Sequence, residues 1–205
     1  MRFFQISLLF IFLNSCSLTT TRGLVEQKID KEYILNNYFS DEKLDYLYKA
    51  KINIYNKNFG GILIIKKIKK EHHRVVFTTE IGNKIFDFEI IGNDFKVNYF
   101  SEDLNKNIVL KTLEDDFRIL VKQHINVNKQ FSSEFEKIYQ SFYIQNDNYY
   151  FYSKQTKQLS KIINTNKNKE KTVFSFNQVE NHLASSIVLE HKNFKLKIDL
   201  TAIHK

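Results

Sequence analysis

From Tyr48 onward, hydrophobic and polar positions alternate with period two. Tyr48, Ala50, Ile52 and Ile54 alternate with Lys49, Lys51, Asn53 and Tyr55, which predicts a strand with one buried face. Ile62 to Ile68 predicts a second strand, and its run Ile62-Leu63-Ile64-Ile65 is apolar on both faces, as in a strand covered from both sides. Arg74 to Glu80, Lys84 to Ile91 and Asp94 to Phe100 predict three more. Phe59-Gly60-Gly61, the polar tip Lys69 to His73, Gly82-Asn83 and Gly92-Asn93 supply the turns, since Gly and Asn tolerate positive φ at little cost. The expectation is a five-stranded antiparallel meander.

Helical spacing interrupts this pattern. From Leu24 to Phe39, Val25, Ile29, Tyr33 and Leu35 fall near one side of a helix, and Ser40-Asp41-Glu42 then opens a brief turn. A second helix is expected where Thr112 and Asp115 have capping-box spacing. Leu113, Phe117, Leu120, Val121 and His124 form its apolar stripe, with Glu114, Asp115 and Asp116 in its first turn, where they favour the helix dipole. A short third helix is predicted over Ser133 to Ser141. Period two returns at Asn148 to Ser153, Gln158 to Ile163, Thr172 to Phe176, Ile187 to Glu190 and Phe194 to Ile203, with Asn164 to Lys171 as a charged loop. A sheet this long must curl or be covered. The fold class expected is α+β, mainly β: an incomplete antiparallel β-barrel, a half-barrel, covered or plugged by helices.

The first sixteen residues carry a different message. Arg2 is followed by an apolar run, Phe3 to Leu13, interrupted only by Gln5 and Ser7, and then by Asn14-Ser15-Cys16. The run is too short to span a hydrocarbon layer of about 30 Å and has the order of a secretory signal. Cys16 is the only cysteine, so no internal disulfide is possible. The segment resembles a bacterial lipoprotein signal with its lipobox, although Asn14 stands where a small or β-branched residue is usual. That resemblance implies cleavage after residue 15, acylation of Cys16, a covalent lipid anchor in a membrane, a tether over 16–23 and one domain over 24–205. No acid follows Cys16 at Ser17 or Leu18, so an inner-membrane retention signal is missing. The expected address is the outer membrane, facing the periplasm.

Composition narrows the chemistry. Hydrophobic content of 42% over 205 residues argues for a packed domain rather than disorder. The net charge of +8 comes from lysines interleaved with acids along the whole chain, which together with an export signal argues against nucleic acid as a partner. His72-His73 point to opposite faces of any strand and cannot readily share a metal; they are expected on an exposed hairpin tip. His124, His182, His191 and His204 lack ligand partners at motif spacing. With no nucleophile elbow and only five glycines, neither a hydrolase nor a phosphate-cradling loop is indicated, and no enzymatic activity, metal or cofactor is expected.

What remains is a surplus of apolar surface: Phe86, Phe88 and Ile90 face one way on their strand, Ile85 and Ile91 the other. The lipobox, the N-terminal helix and the meander–helix–strand order together resemble the LolA and LolB lipoprotein-localisation factors, more closely LolB. The local similarity runs from Val76 to Phe100, where Thr79-Glu80-Ile81-Gly82-Asn83 matches the family's apolar turn, with Glu80 in place of its usual proline. The resemblance implies an unclosed barrel that binds acyl chains of lipoprotein cargo without covalent chemistry. It implies a periplasmic LolA-like carrier as donor, and a membrane-insertion tip at Ile81 and Gly82. The acyl-chain cavity would draw on Ile52, Ile54, Leu63, Ile65, Val75, Phe77, Phe86, Phe88, Leu113 and Phe117. The alternative is a structural or assembly lipoprotein of the envelope that uses the same fold for protein contacts.

Overall fold

A computed structural model describes residues 19–104, 106–167, 169–180 and 183–203. Residues 1–15, expected from the sequence to be a signal, and Cys16 lie outside the described residues. Fifteen strands and one α-helix follow in order: β1 (Val25–Gln27), β2 (Tyr33–Leu35), β3 (Asp45–Ile54), β4 (Lys57–Lys69), β5 (His72–Thr79), β6 (Lys84–Ile91), β7 (Asp94–Phe100), α1 (Asn107–Val121), β8 (His124–Asn126), β9 (Lys129–Ser132), β10 (Glu136–Tyr143), β11 (Asn146–Ser153), β12 (Leu159–Asn166), β13 (Lys169–Glu180), β14 (Leu183–His191) and β15 (Leu196–Ala202). Among the described residues no helix is long and apolar enough to cross a membrane.

Thirteen strands form one antiparallel sheet in the order β1-β9-β10-β11-β12-β13-β14-β15-β3-β4-β5-β6-β7, and β2 pairs with β8 as a separate ribbon. The edge strands β1 and β7 do not pair with each other, so the sheet stays open. The twist between neighbouring strands, about −20 to −25° each, curls a sheet of this width and gives it a concave face. There α1 lies against β3 to β6 in the main core, while Phe131, Ile138, Tyr149, Phe151 and Ile163 alternate onto the other face in a second cluster with Leu24 and Val173.

The meander follows its sequence pattern closely. β6 and β7 have the expected limits, and Tyr48, Ala50, Ile52 and Ile54 are all buried. The first hairpin turn, however, falls at Tyr55-Asn56, with Tyr55 at φ 52°, and Phe59-Gly60-Gly61 lies within β4. Gly61 is needed there for close approach rather than for a turn: a Cβ would collide with the Thr78 carbonyl. On β4, Leu63 and Ile65 are buried but Ile62 and Ile64 only partly so, because no layer covers the outer face.

The helical readings fare worse. Leu24 to Phe39 is not a helix, since Val25 pairs with Ser132 and Ile34 with Ile125 across the fold. Of its apolar residues, Val25, Ile29, Tyr33 and Leu35 are exposed and Ile34 is buried. Long-range pairing has overridden a weak local spacing. Ser133 to Ser141 likewise falls mostly in β10, whose Ile138 and Tyr139 pack on opposite faces. α1 begins at Asn107, so Thr112 is inside it and donates its Oγ1 hydrogen to the Ile108 carbonyl at 2.7 Å instead of capping. Glu114, Asp115 and Asp116 therefore sit mid-helix, and His124 is on β8. The expected loop Asn164 to Lys171 is a tight hairpin between β12 and β13. His72 and His73 do point to opposite faces, but neither stands on an exposed tip. His73 Nε2 lies buried 3.0 Å from the Phe39 carbonyl, and His72 Nε2 lies 3.0 Å from Glu89 Oε2.

Candidate functional site

The ten interior positions singled out from the sequence, Ile52, Ile54, Leu63, Ile65, Val75, Phe77, Phe86, Phe88, Leu113 and Phe117, belong to one buried cluster. α1 presents Phe117 to Phe86 at 5.6 Å, Phe86 stacks on Phe88 at 4.7 Å, and Phe77 meets Phe86 at 5.4 Å. Rings at these separations are in contact, so this half of the concave face is filled by protein.

α1 is pinned there by polar atoms as well. His191 Nε2 on β14 lies 2.7 Å from Asp116 Oδ2, and His191 Nδ1 lies 3.1 Å from Thr172 Oγ1 on β13. All three residues are buried, and burial pushes the Asp116 carboxyl upward against the opposing pull of His191. The set has the order of a hydrolytic triad, but its hydroxyl is sealed from solvent, and its effect is to hold the helix to the sheet. Among the described residues no three of His, Cys, Asp and Glu are grouped as a metal site would require.

The other half of the concave face is covered differently. The ribbon β2–β8 continues from the end of α1, tied down by Asn36 Nδ2 donating to the Leu120 carbonyl at 3.0 Å and by Tyr38 Oη donating to the Leu159 carbonyl at 2.6 Å. Between the ribbon and β10–β11 lies an open groove of about 770 Å³. Tyr33, Ile34, Leu35, Tyr139 and Tyr152 wall it, and Lys31, Lys137, Lys154 and Lys157 rim it. Tyr152 Oη donates to the Leu35 carbonyl at 2.9 Å, and Tyr139 meets Tyr152 edge-on at 5.8 Å, so the aromatic wall is held in place. Lys137 pairs with Asp30 at 2.7 Å and holds the Asp30 carboxyl below its ordinary range. Lys154 donates to the Ser133 carbonyl at 2.6 Å. Among the described residues no carboxylate lies within ion-pair distance of Lys31 or Lys157. A volume in the usual range for small-ligand sites, with largely apolar walls and a rim that mixes these lysines with Glu32, suits an elongated apolar chain. The helical reading of Leu24 to Phe39 hid this site; the available signal was the apolar trio Tyr33-Ile34-Leu35 set between charged and amide residues.

The last element is the turn between β5 and β6. Thr79 N donates to the Asn83 carbonyl at 2.8 Å, Gly82 N to the Thr79 carbonyl at 2.9 Å, and Asn83 N to Thr79 Oγ1 at 3.0 Å. Gly82 takes φ 90°, which an L side chain rarely adopts. This closed frame lifts Ile81 clear of the core at 85% exposure, the highest of the exposed large hydrophobic residues described.

As a sequence, the chain matches no family model and no curated protein. As a structure, it is similar to a LolA superfamily protein from Nitrosomonas europaea, with a TM-score of 0.51 at 8% identity, over 82% of this chain and 88% of that one. A putative outer membrane lipoprotein-sorting protein domain from Vibrio parahaemolyticus scores 0.43 at 10% identity, over 78% of this chain and 83% of its own. A DUF1329 family protein from Desulfovibrio piger scores 0.40 at 10% identity, over 78% and 84%. The latter two add nothing to the assignment. Over its described residues the chain has the LolA-like fold: one large open antiparallel sheet wrapped around a single α-helix.

Proposed function

We propose that this protein is a lipid-anchored acceptor of the LolB kind, which holds acyl chains of lipoprotein cargo without covalent chemistry and delivers them to the outer membrane from its periplasmic side. The observation that carries the reading is the open groove, whose walls of Tyr33, Leu35, Tyr139 and Tyr152 suit an acyl chain. Each methylene removed from water there would contribute about 0.8 kcal/mol. The ten buried positions around Phe86 and Phe117 would receive a chain only if α1 lifted from the sheet. In this reading Cys16 is the acylated anchor, a LolA-like periplasmic carrier is the donor, and Ile81 on its Gly82 turn is the tip that enters the bilayer. The structural or assembly alternative draws on Phe135 and Phe142, large apolar residues left exposed near the two ends of β10.

The mature chain, purified and extracted, is expected to release bound lipid and to take a labelled lipoprotein from a LolA-type donor. Absence of both contradicts the carrier reading and favours the alternative. Ile81→Glu is expected to impair insertion while leaving the domain folded, and normal insertion would remove Ile81 from the account. Loss of lipid labelling in Cys16→Ala tests the anchor.

A further inference from the structure

The described chain begins against one particular part of the sheet. Thr20 is buried and its Oγ1 donates to Glu170 Oε1 at 3.1 Å, beside the β12–β13 turn. Only three chain steps separate Cys16 from Thr19, a reach of about 11 Å when fully extended. An acyl anchor on Cys16 therefore brings the bilayer surface close to this turn, whatever else the protein does. The residues that surround the turn decide how that contact is made.

Strand pairing gathers three turns here. Thr172 at the start of β13 pairs with His191 at the end of β14, and Leu196 at the start of β15 pairs with Ile54 at the end of β3. Tyr55, exposed on the β3–β4 turn, donates its backbone N–H to the Lys195 carbonyl at 2.8 Å and packs edge-on against Phe194 at 5.1 Å. Lys106 stands 4.9 Å above the Tyr55 ring. Ile108, 56% exposed on the first turn of α1, borders the same concavity as Phe194, Lys167 and Lys169. Lys167, Lys169 and Lys195 are exposed, and among the described residues no carboxylate lies within ion-pair distance of them. Of the nearby acids, Glu170 accepts from Thr20, Glu190 pairs with Lys192, and Asp103, beside the β3–β4 turn, pairs with Lys57.

We infer that this rim, Tyr55, Phe194 and Ile108 set among Lys106, Lys167, Lys169 and Lys195, is a docking surface for an anionic lipid bilayer. Aromatic and aliphatic side chains enter the interface, and the lysines meet lipid phosphates. The inference rests on the anchor at Cys16 but not on the cargo. It fixes the orientation of the whole domain, with the β12–β13 turn down. Phe135, on the β9–β10 turn, is then held off the membrane: β10 separates it from Ile144, which lies beside Asn166, by about 30 Å at strand rise.

The chain has no tryptophan, so a single introduced indole reports one position. The acylated full-length protein would be reconstituted in vesicles of phosphatidylglycerol and brominated phosphatidylcholine, as Tyr55→Trp, as Ile108→Trp in case the first variant fails to fold, and as Phe135→Trp. The rim probes are expected to be quenched several-fold and Phe135→Trp not at all. Quenching is expected to fall in wholly phosphatidylcholine vesicles, at about 1 M salt, where the Debye length is about 3 Å, and in Lys167→Glu/Lys169→Glu. Equal quenching at the rim and at Phe135, or none at the rim, would overturn the inference. So would rim quenching indifferent to lipid charge, salt and the double substitution. Failure of the anchor itself is distinguishable, because the unsubstituted protein would then not remain with the vesicles. Failure of the carrier reading shows in lipoprotein transfer and leaves this quenching unchanged.

Discussion

Along β3 to β6 the concave face meets α1, and Phe77, Phe86, Phe88 and Phe117 fill the space between them. Along β10 and β11 the same face meets only the β2–β8 ribbon, and a groove of about 770 Å³ stays open. The difference lies in what each cover can bring. A helix projects a row of long side chains into the concavity, whereas β2 buries one, Ile34, and leaves Tyr33 and Leu35 at the groove's edge. One half is packed solid and the other, in the proposed reading, is left open for binding, and substitutions should separate the two.

Phe117→Ala is expected to have the largest effect, lowering stability by about 3–5 kcal/mol, because the cavity left by a buried ring cannot collapse within a sheet-and-helix sandwich. Urea unfolding measures it, and a loss below 1 kcal/mol would mean that this half is not tightly packed. His191→Ala should cost about 3 kcal/mol by leaving Asp116 buried without its partner. His191→Ala combined with Asp116→Ala should recover part of that loss; strict additivity would show that the two do not act as a pair.

A third effect depends on pH. Hydrogen bonds from Arg74 hold the Asp87 carboxyl well below the usual carboxylate range, with Lys84 and Asn98 adding to them against burial. A depressed native pKa stabilises the fold above the ordinary aspartate value, about 3.9, and that contribution is lost as pH falls below it. Unfolding midpoints of the unsubstituted protein are expected to drop between pH 7 and pH 3, and Asp87→Asn to flatten the decline. An unchanged pH slope would mean that the network contributes nothing. The smallest stability change is expected in the open half, where Tyr33→Ala should stay within about 0.5 kcal/mol of the parent because the side chain is already exposed. The same substitution should nevertheless weaken binding of a fluorescent fatty acid.

The filled half was the legible half. Alternation from Tyr48 to Ile54 and the stripe Leu113, Phe117, Leu120 record burial directly, since each period follows from which side chains must leave water. The turn that exposes Ile81 was also legible, because Thr79 to Asn83 is local in sequence. The groove was not. Its walls come from β2 on one side and the β10–β11 hairpin on the other, and β2 is brought there only by its long-range pairing with β8; Ser133 to Ser141 also carries Ile138 and Tyr139 on opposite faces, a pattern that reads as helix until both sheet faces are known to be covered. The polar pin was equally hidden, because Asp116 and His191 are 75 residues apart and neither belongs to a motif.

The central claim is that an acyl chain lies in the open half. A fatty acid carrying a photoreactive diazirine, activated in the complex and mapped by mass spectrometry, tests it most directly. Labels on Lys31 to Leu35 and on Lys137 to Lys157 are the expected result. Labels confined to Leu113–Phe117 and Phe86–Phe88, or no labelling at all, would contradict it.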